Sequence, residues 1–109
     1  LPQVDHFMPW ARHPDDGLDN YVLAHGDCNR AKSDFIASAQ HLEPWVARSV
    51  EGGPLDAIDD GATWERDRAR TMSVARAIYL RLQPESNLWV RGDEFVSPDL
   101  ARVHAVMGL

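Results

Sequence analysis

The first third of the chain holds four side chains whose types and order could hydrolyse a phosphodiester. Asp5 and His6 are adjacent, Asn20 follows His6 by fourteen positions, and Asn29 follows Asn20 by nine. A neutral imidazole can take a proton from water near neutral pH. Carboxylate and amide oxygens suit Mg²⁺ or Mn²⁺ better than Zn²⁺. These residue types therefore indicate hydrolysis assisted by a single divalent metal ion.

Each of these residues has a candidate chemical role, and the two asparagines also have a structural alternative. We expect His6 to act as the base and Asn20 to accept a hydrogen bond from its imidazole, through either the side chain or the backbone carbonyl. The alternative for Asn20 is an Asx turn at the entry to a strand. We expect Asp5 and Asn29 to bind the metal. The alternative for Asn29 is a first-turn residue of a helix, bonded to local backbone.

Basic and aromatic residues near this group could contact a nucleic acid. Arg30 and Lys32 are predicted near the start of a helix, where the free N–H groups and the helix dipole favour phosphate. Lys32 could contact the scissile or an adjacent phosphate, or it could pair with Asp34 or simply face water. Trp10 lies in the loop after the first strand and could stack on a base. The sequence therefore predicts a nucleic-acid surface formed by Arg30, Lys32 and Trp10.

Three short strings between residues 4 and 34 resemble a known family. They are Val4-Asp5-His6, then Asp19-Asn20 with Val22-Leu23, and finally Asn29-Arg30-Ala31-Lys32-Ser33-Asp34. This segment resembles the HNH nucleases, in the variant whose last His is replaced by Asn. It is similar to the HNH domain of CRISPR RNA-guided nucleases.

The resemblance implies both a fold and an activity. The fold is α+β, a ββα-metal (His-Me finger) unit whose kinked hairpin brings Asp5 and His6 to one site. The activity is that of a metal-dependent endonuclease acting on DNA, with RNA not excluded. His6, Asn20 and Lys32 would be the catalytic residues, and Asp5 and Asn29 would hold one Mg²⁺ or Mn²⁺.

Structural zinc is a feature of many HNH proteins, in which two C-x-x-C pairs bind the ion. Here the second pair would be His25 and Cys28, and the chain has no first pair. Because a structural zinc site needs about four ligands, we predict no structural zinc. A C-x-x-C upstream of Leu1 would change that prediction.

The hydrophobic pattern predicts the elements that position these residues. Residues 2–7 read as a strand ended by Pro9, residues 10–19 as a loop and residues 20–24 as a second strand. A helix capped by Asp27 should then run to about Gln40. Residues 1–41 would thus form the HNH unit, and residues 42–109 a mostly helical extension packed on it.

The extension has its own predicted elements. We expect helices over residues 42–50, with Pro44 in the first turn, and over residues 62–82. An extended piece should follow at 87–91. Ser97 and Pro98 should begin a last helix that ends near Met107. Trp45 and Trp64 fall on predicted apolar helix faces and are expected in the core.

Composition limits the setting and the partners. The net charge is −6, and residues 1–60 carry four basic against eleven acidic side chains. This acidity predicts weak DNA affinity in isolation, so other domains of a longer protein should contribute to binding. The single cysteine fits a cytoplasmic, reducing setting. No apolar run is long enough to span a membrane. Because the chain begins at Leu1 and reaches the motif within five residues, we expect it to be a fragment.

Two other functions are compatible with these features. One is a nucleic-acid-binding module that keeps the HNH shape without turnover. The other is a protein-interaction domain whose working surface is the extension from about Ala62 onward. Neither alternative explains why the carboxylate, imidazole and two amides occur in this order.

Overall fold

The fold is α+β, as predicted, with small hairpins and short helices. The computed structural model describes residues 2–9, 17–32, 35–50, 52–59 and 66–108; within these ranges the side chains at 2, 3, 24, 25, 28–30 and 57–59 are not described. The described residues form five α-helices and two antiparallel two-stranded sheets. No helix in these ranges is long and apolar enough to cross a bilayer.

The N-terminal unit consists of a hairpin followed directly by a helix. Strand β1 (Pro2–His6) pairs with β2 (Tyr21–His25) in a register that runs from Pro2↔His25 to His6↔Tyr21. A 3₁₀ turn over Leu18–Asn20 leads into β2, and helix α1 (Gly26–Lys32) follows it and lies against both strands. The predicted order of strand, strand and helix is confirmed. The loop predicted over residues 10–19 falls mostly outside the described residues.

The predicted start and length of α1 are both wrong. The helix begins at Gly26, so Asp27 lies inside its first turn and is not the N-cap. The helix ends at Lys32, not near Gln40, and the chain from Ile36 to Ser38 instead lies against a later strand. The Trp89 N–H donates to the Ile36 carbonyl at 2.8 Å, and the Ser38 N–H donates to the Trp89 carbonyl at 2.9 Å. These long-range bonds override the local helical pattern.

The early end of α1 also corrects the expectation for the two basic residues. Arg30 and Lys32 lie in the last turn of a seven-residue helix, not in its first turn. The free backbone groups at that end are carbonyls, and the dipole there favours cations rather than anions. The helix terminus therefore supplies no phosphate site at Lys32.

The extension folds into α2 (Ala39–Arg48), α3 (Pro54–Asp59), α4 (Arg68–Leu80), a hairpin of β3 (Leu88–Arg91) with β4 (Glu94–Val96), and α5 (Leu100–Val106). Helix α2 begins earlier than predicted, which moves Pro44 into the second turn. Residues 62–65, where α4 was predicted to begin, lie outside the described residues.

Aspartates cap the last two helices. Asp67 precedes α4, and its carboxylate accepts from the Arg70 N–H at 3.0 Å. Asp99 precedes α5 and accepts from the Arg102 N–H at 3.1 Å, so the prediction of Ser97 as the cap is wrong. Aspartate is a strong N-cap, because its short side chain can accept a hydrogen bond from a free backbone N–H in the first turn of the helix.

The hairpin of β3 and β4 was only half predicted. The extended piece at 87–91 is confirmed as β3, while β4 was missed. Gly92 and Asp93 form the two-residue connection, and Gly92 has φ of +47°. A Gly-Asp pair between extended residues is a hairpin signal, because glycine tolerates that backbone angle.

The core lies where α2, α4, α5 and β3 meet. The Tyr79 side chain is buried there, and its hydroxyl donates to the Ala37 carbonyl at 2.6 Å. Burial raises the pKa of Tyr79 above its ordinary value. Trp45 is buried as predicted and stacks on Phe7 at 4.2 Å between ring centroids. This stack joins the N-terminal unit to the extension. Trp64 lies outside the described residues.

Candidate active site

The acidic–histidine pair lies at the end of β1. Asp5 and His6 are both half-buried, and their strand pairs regularly with β2 up to the His6↔Tyr21 pair. The His6 ring lies 5.0 Å from the Tyr21 ring, on the same face of the hairpin. The resemblance implied a kink at this pair. The structure instead keeps the register through His6 and bends the chain directly after it, at Phe7 and Met8.

Asn20 holds this bend from the opposite side of the hairpin. The Met8 N–H donates to Asn20 Oδ1 at 2.8 Å, and Asn20 Nδ2 donates to the Met8 carbonyl at 3.2 Å. The Phe7 N–H donates to the Asn20 carbonyl at 2.7 Å. Asn20 and Met8 are fully buried. Asn20 therefore fixes the backbone that directly follows His6, while its predicted bond to the imidazole stays a prediction.

Asp19, beside Asn20, is the centre of a buried polar network that sequence reasoning missed. Its carboxylate accepts from Arg66 Nε at 2.7 Å, and its carbonyl accepts from Trp45 Nε1 at 2.9 Å and from Arg48 at 2.6 Å. The hydrogen bond to Asp19 raises the pKa of Arg66, and a second bond to Asp56 raises it further. Burial lowers the pKa of Arg48, and the negative charge of Asp19 opposes that shift.

Lys32 joins the end of α1 to the end of β1. Its side chain is buried, and Nζ lies 3.5 Å from the His6 carbonyl, the outer limit for a hydrogen bond. The amine is therefore held beside the backbone of His6. A contact between Lys32 and phosphate stays a prediction.

The remaining predicted residues are only partly described. Asn29 and Arg30 belong to α1, but their side chains lie outside the described part of the structure. Position 29 is one helical turn before Lys32 and thus on the same face of α1. Trp10 lies outside the described residues. The structure therefore places the backbones of Asp5, His6, Asn20 and Lys32 near one end of the hairpin, and that of Asn29 on the adjoining helix. Because β1 pairs regularly through His6, the side chains of Asp5 and His6 lie on opposite faces of the strand, and their convergence on one metal stays a prediction.

Comparison with known families bears on the same segment. Residues 2–38 match the model of the HNH endonuclease family. The matched range contains both strands of the first hairpin and all of α1, so the resemblance seen in the sequence is confirmed. No curated protein and no solved structure matches the chain. The extension from α2 onward lies beyond the matched HNH segment.

The donor chemistry of the HNH segment fits a hard divalent cation. Asp5 offers a carboxylate and Asn29 an amide, and Mg²⁺ is commonly held by one or two such oxygens with water filling the other positions. Among the described residues, no three His, Cys, Asp or Glu side chains gather as a metal site. One acid and one amide would not form such a group. The side chains of His25 and Cys28 lie outside the described part of the structure, so the absence of structural zinc stays a prediction.

Proposed function

We propose that the HNH segment is the catalytic centre of a metal-dependent endonuclease that hydrolyses phosphodiester bonds in DNA. The observation that carries this proposal is the convergence of three elements on His6. Strand β1 presents it, Asn20 fixes the bend behind it through Phe7 and Met8, and α1 reaches its carbonyl through Lys32. The family match over the same residues supports the same activity.

The proposed reaction is attack of water on phosphorus with loss of the leaving-group oxygen. His6 accepts a proton from the attacking water as the new P–O bond forms. The old P–O bond breaks, and the leaving oxygen takes a proton from solvent. A divalent cation held by Asp5 and Asn29 would screen the negative charge that develops on the phosphate. The ββα-metal fold proposed for the segment would place these groups together.

The other residues would orient the reactants. Asn20 would keep His6 in place through the backbone at Phe7 and Met8, in addition to any bond with the imidazole. The buried amine of Lys32 would add positive charge beside the phosphate. Arg30 and Trp10 are proposed contacts to the nucleic acid outside the reacting group. The net charge of −6 supports the view that other domains provide most of the DNA affinity.

A plasmid-nicking assay tests this function. We expect the protein to nick supercoiled DNA with Mg²⁺ or Mn²⁺ and to lose that activity in EDTA. His6→Ala should abolish nicking, whereas His104→Ala, at an exposed position on α5, should leave it unchanged. Equal nicking by wild type and His6→Ala would remove the assignment of the base.

The metal ligand needs its own test, since Asn29 could be structural. Asn29→Ala should raise the Mn²⁺ concentration needed for half-maximal nicking while leaving DNA affinity in EDTA unchanged. A loss of DNA affinity in EDTA that accompanies the higher Mn²⁺ requirement would assign Asn29 to the helix rather than to the metal. DNA binding by the wild type without any metal-dependent nicking would favour the non-catalytic alternative.

A further inference from the structure

A buried ion pair connects the extension to the HNH segment. The side chain of Asp19 is fully buried, and that of Arg66 is 11% exposed. Arg66 approaches the carboxylate with Nε at 2.7 Å and Nη2 at 3.4 Å. A buried carboxylate is costly unless a partner compensates its charge. Because 47 positions separate the two residues, folding of the extension is required to supply that partner.

Arg66 is itself held in place by the extension. Its Nη1 donates to Asp56 of α3 at 2.6 Å, and Arg68, at the start of α4, also bonds to that carboxylate. The Gly52 N–H donates to the other oxygen of Asp56 at 2.6 Å. Arg66 therefore spans two carboxylates, one buried in the HNH segment and one half-buried on α3.

A second connection runs in parallel through α2. Trp45 donates its indole N–H to the Asp19 carbonyl at 2.9 Å, and its ring stacks on Phe7 at an interplanar angle of 10°. Phe7 directly follows His6, and its N–H donates to Asn20. The turn at Asp19 and the bend after His6 are thus held by the same side chain of the extension.

These contacts form one continuous path to the proposed base. Arg66 binds the side chain of Asp19, Asp19 precedes Asn20, and Asn20 holds the backbone of Met8 on both its N–H and its carbonyl. Displacement of the turn at Asp19 would move Asn20 and, with it, the bend that fixes His6. A displacement of about 1 Å at a reacting group can reduce a rate by about a hundredfold.

We propose that Asp19 and Arg66 are positioning residues for the nuclease reaction, through which the extension sets the placement of His6. This inference rests on the proposed nuclease function. Arg66 lies outside the matched HNH segment. Its role would be in turnover and not in DNA affinity.

The test compares Arg66→Lys with Arg102→Lys. Lysine keeps the charge but cannot give the two-nitrogen contact to Asp19. Arg102 is a matched control, since its Nε forms an exposed ion pair with Glu43 at 2.5 Å that joins α5 to α2. Both variants are compared with wild type at a temperature where circular dichroism finds them folded.

We expect Arg66→Lys to lower kcat by about tenfold or more with KM within about twofold, because placement rather than binding is lost. Amide hydrogen exchange at Phe7 and Met8 should accelerate by about tenfold in the same variant. Arg102→Lys should change neither quantity. Unchanged kcat and unchanged exchange in folded Arg66→Lys, with an active wild type, would overturn the positioning role alone.

A measurement on the wild type decides the question if Arg66→Lys does not fold. Native-state hydrogen exchange in low urea should find the Arg66 Nε–H and the Met8 N–H opening together, with the same dependence on urea, at a lower free energy than global unfolding. Separate opening of the two groups would contradict the proposal. Absence of any cleavage by the wild type would instead contradict the nuclease function on which the proposal rests.

Discussion

Replacement of Asn20 by alanine gives the sharpest test of the bend that follows His6. The substitution removes two hydrogen bonds to Met8, one to its N–H at 2.8 Å and one from Nδ2 to its carbonyl at 3.2 Å. Met8 is only 2% exposed, so water cannot replace these partners without local opening. Each buried backbone group left unpaired costs about 1–3 kcal/mol. With two such groups, Asn20→Ala should lower the free energy of unfolding by about 2–6 kcal/mol.

Urea unfolding followed by tryptophan fluorescence measures this change. All four tryptophans contribute to the emission, and one of them, Trp45, stacks on Phe7 beside the bend. Asn87→Ala is the matched control, because Asn87 is exposed, and it should change stability by less than about 0.5 kcal/mol. If Asn20→Ala falls within the range of the control, the Met8 hydrogen bonds do not hold the bend and the reasoning is refuted.

Three further substitutions probe the packing and the ion pairs that support the site. Tyr79→Phe removes the hydroxyl that donates to the Ala37 carbonyl, and we expect a loss of about 1–3 kcal/mol in urea unfolding. Leu42→Ala empties part of the core at a fully buried position, and calorimetry should find it destabilised by about 2–5 kcal/mol; a smaller loss would mean that the core collapses around the gap. The hydrogen bond from the Gly52 N–H and then that from Arg66 lower the pKa of Asp56, so its stabilising contribution is complete above the unfolded pKa and is lost as pH falls through the lower folded pKa. As the pH is lowered, the melting temperature should fall more steeply for wild type than for Asp56→Asn. Parallel plots of melting temperature against pH would contradict this.

The N-terminal unit could be predicted from sequence because its signals are local. Alternating apolar residues in β1, Pro9 after it and Gly26 at the junction of β2 with α1 each act within a few residues. The same rules predicted too long an α1. The chain after α1 is extended because Ile36 and Ser38 form hydrogen bonds with Trp89, which lies more than fifty positions away. A local pattern has no information about that partner.

The candidate site could also be predicted only in part from the sequence. The order of Asp5, His6, Asn20 and Asn29 is visible in the sequence, and the family match covers it. The support around it is not visible, because the partner of Asp19 is an arginine 47 positions away. Charged residues are abundant in this chain, so nothing in the sequence distinguishes Arg66 from the other arginines. The fold of the extension determines that Arg66, and not another arginine, pairs with Asp19.

Direct observation of the metal tests the central claim most closely. Crystals soaked in Mn²⁺ would be measured at the manganese absorption edge to locate the ion by anomalous scattering. We expect one peak about 2.2 Å from both a carboxylate oxygen of Asp5 and the amide oxygen of Asn29, with His6 beside it. A peak that excludes these two oxygens, or a separation between them too large to share one ion, would contradict the proposed active site.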